Sequence, residues 1–371
     1  MPYSVAPVSD KKRLDEFLRL PFAIYRGDPL WVPPVLGEVR RTLDPERNPY
    51  FSRAALRLFV CCQDGTPVAR TAVVINGAHQ KAFGVRSASF GYFESANDEA
   101  AVDGLFGEVD AYCRDRCVEV LEGPFNPHHY SELGLQIDRF GTAPSFFQPY
   151  NPPYYGELLE RAGFRVSARL QTMKNDDIGG FLDRRFGAPA AAPGRNGYTI
   201  RPFSLKDRAG DLERMRDVNN DAFAANWHFL PLRPEEYAFS AKHMGLVTRP
   251  DLIKIVEHRG RPVAVLHCVL DVNPLLRRWR GVPGPVKLIR FLRGRKAVRT
   301  IILFTVGVKR EYRHSRVMHL LLAEFCRMAQ AFDRAETTWI STENRPVLKL
   351  AEDLGMRPDK RFAIYAKEIG P

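Results

Sequence analysis

Cysteine is scarce in this chain, and the cysteines present are not arranged for a disulfide framework or a metal site. The 371 residues contain six of them, with no CxxC pair and no histidine at zinc-finger spacing. We therefore expect reduced, half-buried cysteines and no bound metal.

Long apolar runs are also missing. Uninterrupted apolar runs, such as the one at Ile301–Phe304, are far shorter than the ~20 residues that span a bilayer. The first sixteen residues are polar and mixed, so the sequence predicts no secretion signal. With 45% apolar and 26% charged residues, the composition is that of a globular protein. We expect a cytoplasmic location, with peripheral contact to the inner membrane as an option.

Acidic residues are absent from the stretch that carries most of the net charge. The chain has a net charge of +12, and eleven Lys and Arg lie between Val272 and Arg310 without a single Asp or Glu. A charge concentrated in one patch indicates one anionic partner.

Most of this patch lies in residues 274–299, which we interpret as an insert that forms an amphipathic helix. At helical spacing, Leu288, Ile289, Phe291 and Leu292 fall on one arc, and Lys287, Arg290 and Arg293 fall on the other. Such a helix suits an anionic membrane surface or an acidic carrier protein. The alternative is a helix packed on its own domain with a solvated basic face. Nucleic acid is not expected, because few aromatics accompany the charges.

The length accommodates two domains, and the order of predicted elements repeats. Each half reads as strand, helix, hairpin, then strand, helix, strand, helix and strand, which predicts an α/β fold with a mixed sheet. We place the domains at 1–186 and 198–371. The sequence GAPAAAPGRNG between them, residues 187–197, is typical of a linker.

The segment VGVKREYRHSRVMHLLL, residues 306–322, resembles the central motif of the GNAT superfamily of N-acyltransferases. The resemblance implies two tandem GNAT-like domains and an acyl-CoA or acyl carrier protein as donor. It assigns donor binding to Val306, Gly307, Val308, Arg313, Arg316 and Asn344. A helix N-terminus binds phosphate through its unpaired N–H groups.

The motif departs from the family pattern, because Arg316 and Met318 stand where two small residues are expected. Arg316 either grips a phosphate through its guanidinium or obstructs backbone approach. In the first half, Asp98 and Glu99 occupy the corresponding helix start. Acidic residues there repel phosphate, so we interpret the N-terminal domain as a degenerate copy.

Nearly the whole chain is similar to a bacterial group of tandem-GNAT proteins. The resemblance is carried by LPFAIYRGDPLWVPP (20–34), EGPFNP (122–127) and PYNPPYY (149–155). Members of this group resemble bacterial ceramide synthases, which join an acyl chain to the amine of a sphingoid base. The last segment also resembles the tandem-GNAT peptidyltransferases of cell-wall bridge synthesis.

Amide formation from a thioester requires a base for the amine proton. We expect the cleft between strands at Thr300–Val308 and Thr337–Ser341, with Glu343 beside it as the first candidate base; Glu343 or Thr342 could instead cap the next helix. His228 and His267 are further catalytic candidates, although His267 also fits a core histidine. Residues predicted to bind the acceptor are Asn226, Trp227, Asp271, Asn273 and Tyr365, with a turn role open for Asp271 and Asn273.

The sequence thus predicts an N-acyltransferase whose acceptor is a primary amine, with a long-chain amino alcohol favoured. An aminoacyl or peptidyl transferase is the alternative enzyme. A lipid- or membrane-binding protein without activity is the alternative outside enzymes.

Overall fold

The structure is a computed structural model that describes residues 3–187, 197–242 and 244–370. The predicted linker lies outside the described residues, apart from the glycines at its two ends.

Strands and helices alternate along the chain in the predicted manner. The strands are β1 (Tyr3–Pro7), β2 (Ala54–Gln63), β3 (Thr66–Asn76), β4 (Ser87–Ser95), β5 (Val120–Gly123), β6 (Phe125–Asn126), β7 (Glu132–Leu133), β8 (Leu135–Gln136), β9 (Arg165–Asn175), β10 (Tyr198–Pro202), β11 (Ile253–His258), β12 (Arg261–Leu270), β13 (Thr300–Val308), β14 (Arg334–Thr337), β15 (Ile340–Ser341) and β16 (Arg357–Glu368). The helices are α1 (Lys11–Ile24), α2 (Leu36–Thr42), α3 (Gly77–Phe83), α4 (Glu99–Arg114), α5 (Tyr155–Arg161), α6 (Ile178–Phe186), α7 (Arg208–Ala222), α8 (Pro234–Ala241), α9 (Asn273–Leu276), α10 (Pro285–Gly294), α11 (Val317–Ala329) and α12 (Arg345–Asp353).

The chain folds into two compact units that each draw on separated segments. Unit 1 comprises Met1–Gln171, Asn273–Leu288 and Lys360–Pro371, and unit 2 comprises Thr172–Val272 and Ile289–Asp359. The predicted domains at 1–186 and 198–371 are continuous segments, whereas unit 1 also contains part of the insert and the C-terminal strand. The division of the chain into two domains that are each continuous in sequence stays a prediction.

Unit 1 is a mixed sheet with a helix on each face. Strands β1 to β4 pair antiparallel in chain order, β4 pairs parallel with β5, and β5 pairs antiparallel with β16. Successive residues of a strand point to opposite faces. On β2, Phe59 and Cys61 pack in the cluster that contains α4, whereas Val60 and Cys62 pack in the cluster that contains Phe17 of α1.

Unit 2 repeats this arrangement. Strands β10 to β13 pair antiparallel in chain order, β13 pairs parallel with β14, and β14 pairs antiparallel with β9. Helix α7 covers one face, where Met215 packs with Ile253 and Val265. Helix α11 covers the other, where the buried Lys254 lies 3.5 Å from Glu324. The predicted α/β class with a mixed sheet is confirmed.

One predicted strand is divided and begins earlier than expected. We expected a strand at Thr337–Ser341, whereas β14 covers Arg334–Thr337 and β15 covers Ile340–Ser341. The residue that β14 buries completely is Ala335, which is too small to signal a core position, and the conspicuous Trp339 falls after the strand.

No described helix is both long enough and apolar enough to cross a membrane.

Candidate active site

In the sheet of unit 2, the neighbouring strands β13 and β14 separate part-way along their length. The two parallel strands are in register from Thr300 opposite Arg334 to Leu303 opposite Thr337. Beyond that pair, β14 ends while β13 continues to Val308. The last backbone hydrogen bond at this point is donated by the Thr338 N–H to the Leu303 carbonyl at 3.3 Å. Thr338 Oγ1 also donates to the Phe304 carbonyl at 3.3 Å, so the edge of β13 that has no ladder to β14 lies beyond Phe304.

A bulge in β13 lies at the same point. His267 of β12 is opposite Thr305, and the next residue, Cys268, is opposite Leu303, so Phe304 is the additional residue. The ring of Phe304 meets the ring of His267 edge-on, with 5.2 Å between centroids. Bulges bend a strand and redirect its side chains, and they are frequent beside active sites.

Helix α11 begins close after the end of β13 in sequence. The turn Arg310–Tyr312 and the N-cap Arg316 separate the two elements. The Val317 N–H donates to Ser315 Oγ at 3.2 Å. The N–H groups of Met318 and His319 have no acceptor among the described residues. They give the start of this 13-residue helix a positive end that can receive an anion.

The two arginines of the motif have different surroundings. The guanidinium of Arg313 donates to the carbonyl of Ala222 at 2.6 Å, so it binds the C-terminal end of α7. Arg316 is exposed, and its guanidinium has no partner within the described part of the chain. Arg316 is therefore the arginine with donors available for a phosphate, while Arg313 fastens α7 to the loop.

Gly307 of the predicted donor segment serves the packing of α7. A Cβ at this position would lie 3.1 Å from Asn219 Oδ1 and 3.4 Å from the Cβ of Ala222. Val306 and Val308 alternate with Gly307 and pair with Leu266 and Ala264 of β12. The missing side chain lets helix and strand approach closely.

Two buried polar atoms lack partners on the face that α7 covers. His267 is 6% exposed, and its Nε2 has no hydrogen bond. The side-chain nitrogen of Asn219 donates to Tyr237 Oη at 3.1 Å, but its Oδ1 is buried without a partner. These statements refer to the described residues. Buried polar groups are normally paired, so both atoms need an explanation.

Burial also controls the ionisation of His267. Removal of water from the ring lowers its pKa to about 4. The imidazole is then neutral at physiological pH and a weak base, so it suits hydrogen bonding better than proton uptake. Sequence reasoning selected His267 as a catalytic candidate but missed Asn219 and Tyr237, because nothing in their spacing separates them from other helix residues.

Glu343 is exposed and lies directly before α12. The cap of that helix is Asn344, whose Oδ1 accepts the Val347 N–H at 3.4 Å. The alternative in which Glu343 or Thr342 caps the helix is wrong, and the Glu343 carboxylate is left available to a substrate. The Asn344 side chain caps the helix, and its role in donor binding stays a prediction.

The remaining predicted acceptor residues are dispersed. Asn226 and Trp227 are exposed in the connection after α7, and His228 beside them has a left-handed backbone with φ of 53°. The Asp271 N–H donates to the Thr300 carbonyl.

Two others belong to unit 1. Asn273 is buried and donates to the carbonyl of Pro144 at 2.9 Å. Tyr365 is 2% exposed in the α4 core.

In unit 1, contacts within the chain occupy the positions that correspond to the strand edge and the helix start of unit 2. Tyr92, at a bulge in β4, donates its N–H to Asn126 Oδ1 at 2.7 Å. Asp98 accepts the Ala101 N–H and caps α4 at the place where a phosphate would need that donor. Both contacts favour the interpretation of unit 1 as a copy without its own donor site.

Unit 1 nevertheless contains a network of buried ionisable groups that sequence reasoning missed. Glu94 accepts hydrogen bonds from Tyr25 at 2.9 Å and Tyr155 at 2.8 Å, and Arg70 lies 3.6 Å away. Burial raises the pKa of Glu94 in spite of this arginine. Outside this network, desolvation raises the pKa of the Glu132 carboxyl group to about 7.

Known proteins resemble this chain over its full length. It is 27% identical to protein YghO of Escherichia coli over 374 residues, which cover 97% of this chain and 94% of that protein. It is also 27% identical to a bacterial ceramide synthase of Caulobacter vibrioides over 381 residues, covering 99% and 97%. No protein-family model matches.

A solved structure with a similar fold is a tandem GNAT protein from the clavulanic acid biosynthesis pathway. It superposes with a TM-score of 0.59 at 15% identity and covers 100% of this chain and 99% of its own. The chain has the tandem GNAT fold. The resemblance in the segment 306–322 is thereby confirmed at the level of the fold.

Proposed function

We propose that the chain is an N-acyltransferase that takes an acyl group from an acyl thioester and transfers it to a primary amine. The observation that carries the proposal is the parting of β13 and β14 beside the start of α11. Among the described residues, that opening combines a strand edge without a ladder beyond Phe304, two N–H groups without acceptors and the guanidinium of Arg316, which has no partner.

These features match the chemistry of coenzyme A. Its pyrophosphate requires N–H donors and positive charge, which the start of α11 and Arg316 offer. Its pantetheine arm carries two amides, which can hydrogen-bond to the free edge of β13 as an additional strand would. An acyl carrier protein presents the same arm, so it remains a second possible donor.

The transfer forms a C–N bond and breaks a C–S bond. The amine nitrogen attacks the thioester carbonyl, its proton passes to a base, and the thiolate leaves and takes up a proton. The exposed Glu343 carboxylate is our proposed base. His267 Nε2 and Asn219 Oδ1 are proposed to bind polar groups of the acceptor, which would explain why both atoms are buried without partners.

A long-chain amino alcohol is the proposed acceptor. Its support is the 27% identity, over 99% of this chain, to a protein named bacterial ceramide synthase. Such an acceptor presents an amine and a hydroxyl group to polar atoms, and its chain requires an apolar environment.

The test is an assay with the purified full chain. Acetyl-CoA and palmitoyl-CoA are each combined with sphinganine and with a small primary amine, and the amide product is measured by mass spectrometry together with thiol release. We expect an amide of sphinganine and one thiol per amide. In a host without the gene, expression of the chain should add the same lipid.

Two outcomes would replace the proposal. Transfer from aminoacyl-tRNA without transfer from acyl-CoA would indicate the peptidyltransferase alternative. Lipid binding without any transfer would indicate a protein that has lost its activity, in which the bulky Arg316 and Met318 occlude the donor site.

A further inference from the structure

Helix α10 presents an outer face that is exposed in the described part of the chain. Val286 is 61% exposed, Ile289 is 50% exposed and Leu292 is 43% exposed. Val286, Ile289, Arg290 and Arg293 follow the i, i+3, i+4, i+7 spacing of one helical face. Large apolar side chains on a surface are ordinary when single, but a row of them on one face indicates an interaction site.

The inner face of the same helix fixes its orientation. Phe291 is 2% exposed, and the ammonium group of Lys287, one turn earlier, donates to the carbonyls of Trp279 at 2.8 Å and Val282 at 3.1 Å. After the helix, Arg295 donates to the carbonyls of Gly245 and Leu246. The inner stripe at positions 287, 291 and 295 fastens the helix, so the outer face points away from the protein.

This arrangement corrects the arcs expected from the sequence. Phe291, predicted beside Ile289 on the apolar arc, is core, and Lys287, predicted to face a membrane or a carrier, is bound within the fold. The basic residues available to a partner are Arg290 and Arg293, whose guanidinium groups have no partner within the described residues.

The charge around this face selects the partner. No acidic residue lies between Val272 and Arg310, whereas eleven basic residues do. A partner therefore has to be anionic and also has to receive three apolar side chains. An anionic bilayer meets both conditions, because its headgroups attract arginine while the acyl boundary accommodates the side chains between them.

We infer that the outer face of α10, formed by Val286, Ile289, Arg290, Leu292 and Arg293, docks the protein on an anionic lipid bilayer. The helix lies parallel to the surface and does not enter as a span. This inference is independent of the proposed acyl transfer, since docking requires neither donor nor acceptor.

Sedimentation with vesicles tests the inference. The full chain is mixed with vesicles of phosphatidylglycerol and phosphatidylcholine, or of phosphatidylcholine alone, at 0.05 and 0.5 M salt. We expect binding to the anionic vesicles at low salt, weak binding to neutral ones, and loss at high salt as screening shortens the reach of the charges. Arg290→Gln with Arg293→Gln should weaken binding about 25-fold, at about fivefold for each arginine.

The apolar part is tested by Ile289→Ser with Leu292→Ser. It should weaken binding about tenfold or more while leaving the melting temperature nearly unchanged, because both side chains already face water. Matched controls make equal changes elsewhere. Arg57→Gln with Arg165→Gln removes two exposed arginines, and Leu205→Ser with Phe186→Ser removes two exposed apolar side chains. Both controls should bind like the wild type.

Three results would overturn the inference. The wild type could fail to sediment with anionic vesicles at low salt, or the α10 variants could bind as the wild type does. The third result is that an immobilised acidic acyl carrier protein binds the wild type but not the Arg290→Gln, Arg293→Gln variant, while vesicles bind neither. That result would assign the face to a protein partner.

Discussion

Replacing His267 by leucine should make unit 2 more resistant to acid, and the size of the effect follows from the structure. The ring is almost completely buried, and its pKa of about 4 lies well below the ordinary value of 6.5. Above pH 6.5 the imidazole is neutral in both the folded and the unfolded chain. Between pH 6.5 and pH 4 the unfolded chain binds a proton that the folded chain does not, so stability is lost as the pH falls through this window.

The difference between the two pKa values corresponds to about 3 kcal/mol when the window has been crossed, and to about 2 kcal/mol at pH 5. His267→Leu removes this loss. It also removes the unpaired Nε2, whose burial costs about 1–3 kcal/mol, although the new shape offsets part of that gain. At pH 7 we expect the free energy of unfolding of the variant to equal or slightly exceed that of the wild type. At pH 5 we expect this difference in the free energy of unfolding to be larger by about 2 kcal/mol.

Urea unfolding at pH 7 and pH 5, followed by circular dichroism, measures both quantities. His319→Leu changes an exposed histidine of α11 and should alter the free energy of unfolding by less than about 0.5 kcal/mol. A difference between His267→Leu and the wild type that does not depend on pH would refute the argument, because it would mean that the folded ring takes up protons freely. If His267 binds the acceptor, the more stable variant should also lose acyl transfer; full activity would confine His267 to the core.

The remaining predictions concern charged groups. Glu343→Gln should lower turnover ~100-fold or more with the melting temperature unchanged, as expected for loss of a general base; near-normal turnover in the amide assay would exclude that role. Arg316→Ala should weaken acyl-CoA binding, measured by calorimetry, roughly tenfold or more. Tighter binding by this variant would indicate that Arg316 obstructs the donor site. Arg313→Ala should mainly lower the melting temperature, because the Ala222 carbonyl loses its hydrogen-bond donor. Glu132 is protonated in the folded chain up to a pKa of about 7, so its contribution to stability is present below pH 4.5 and is lost as the pH rises to 7. Glu132→Gln should reduce that decline in urea unfolding, and an unaltered pH dependence would contradict the raised pKa.

Much of the fold was predictable because its signals are local. The apolar run of β13 and the three- and four-residue spacing of α11 gave the right elements at the right places. β14 was displaced because its completely buried residue is an alanine and its neighbour Trp339 lies outside the strand.

The site was less predictable, because its decisive contacts join residues distant in sequence. Arg313 and Arg316 look equivalent in the motif, yet only the fold brings the Ala222 carbonyl to Arg313. Asn219 Oδ1 and His267 Nε2 stand out only because they are buried and have no partner among the described residues, which is a property of packing and not of spacing. Likewise Lys287 faces inward because the carbonyls of Trp279 and Val282 receive it.

The sequence by itself determined the repeated α/β order and the concentration of positive charge in residues 272–310. These depend on composition and on periodicity over a few turns, which a single strand or helix already expresses. The interpretation of the segment 306–322 as a phosphate-binding motif came instead from its resemblance to a known family. Tertiary structure alone decided that unit 1 takes in the segments 273–288 and 360–371. It also decided which arginine at α11 has no partner among the described residues and which face of α10 is exposed there. Such outcomes depend on which distant groups meet and exclude water, and the spacing of residues along one element does not contain that information.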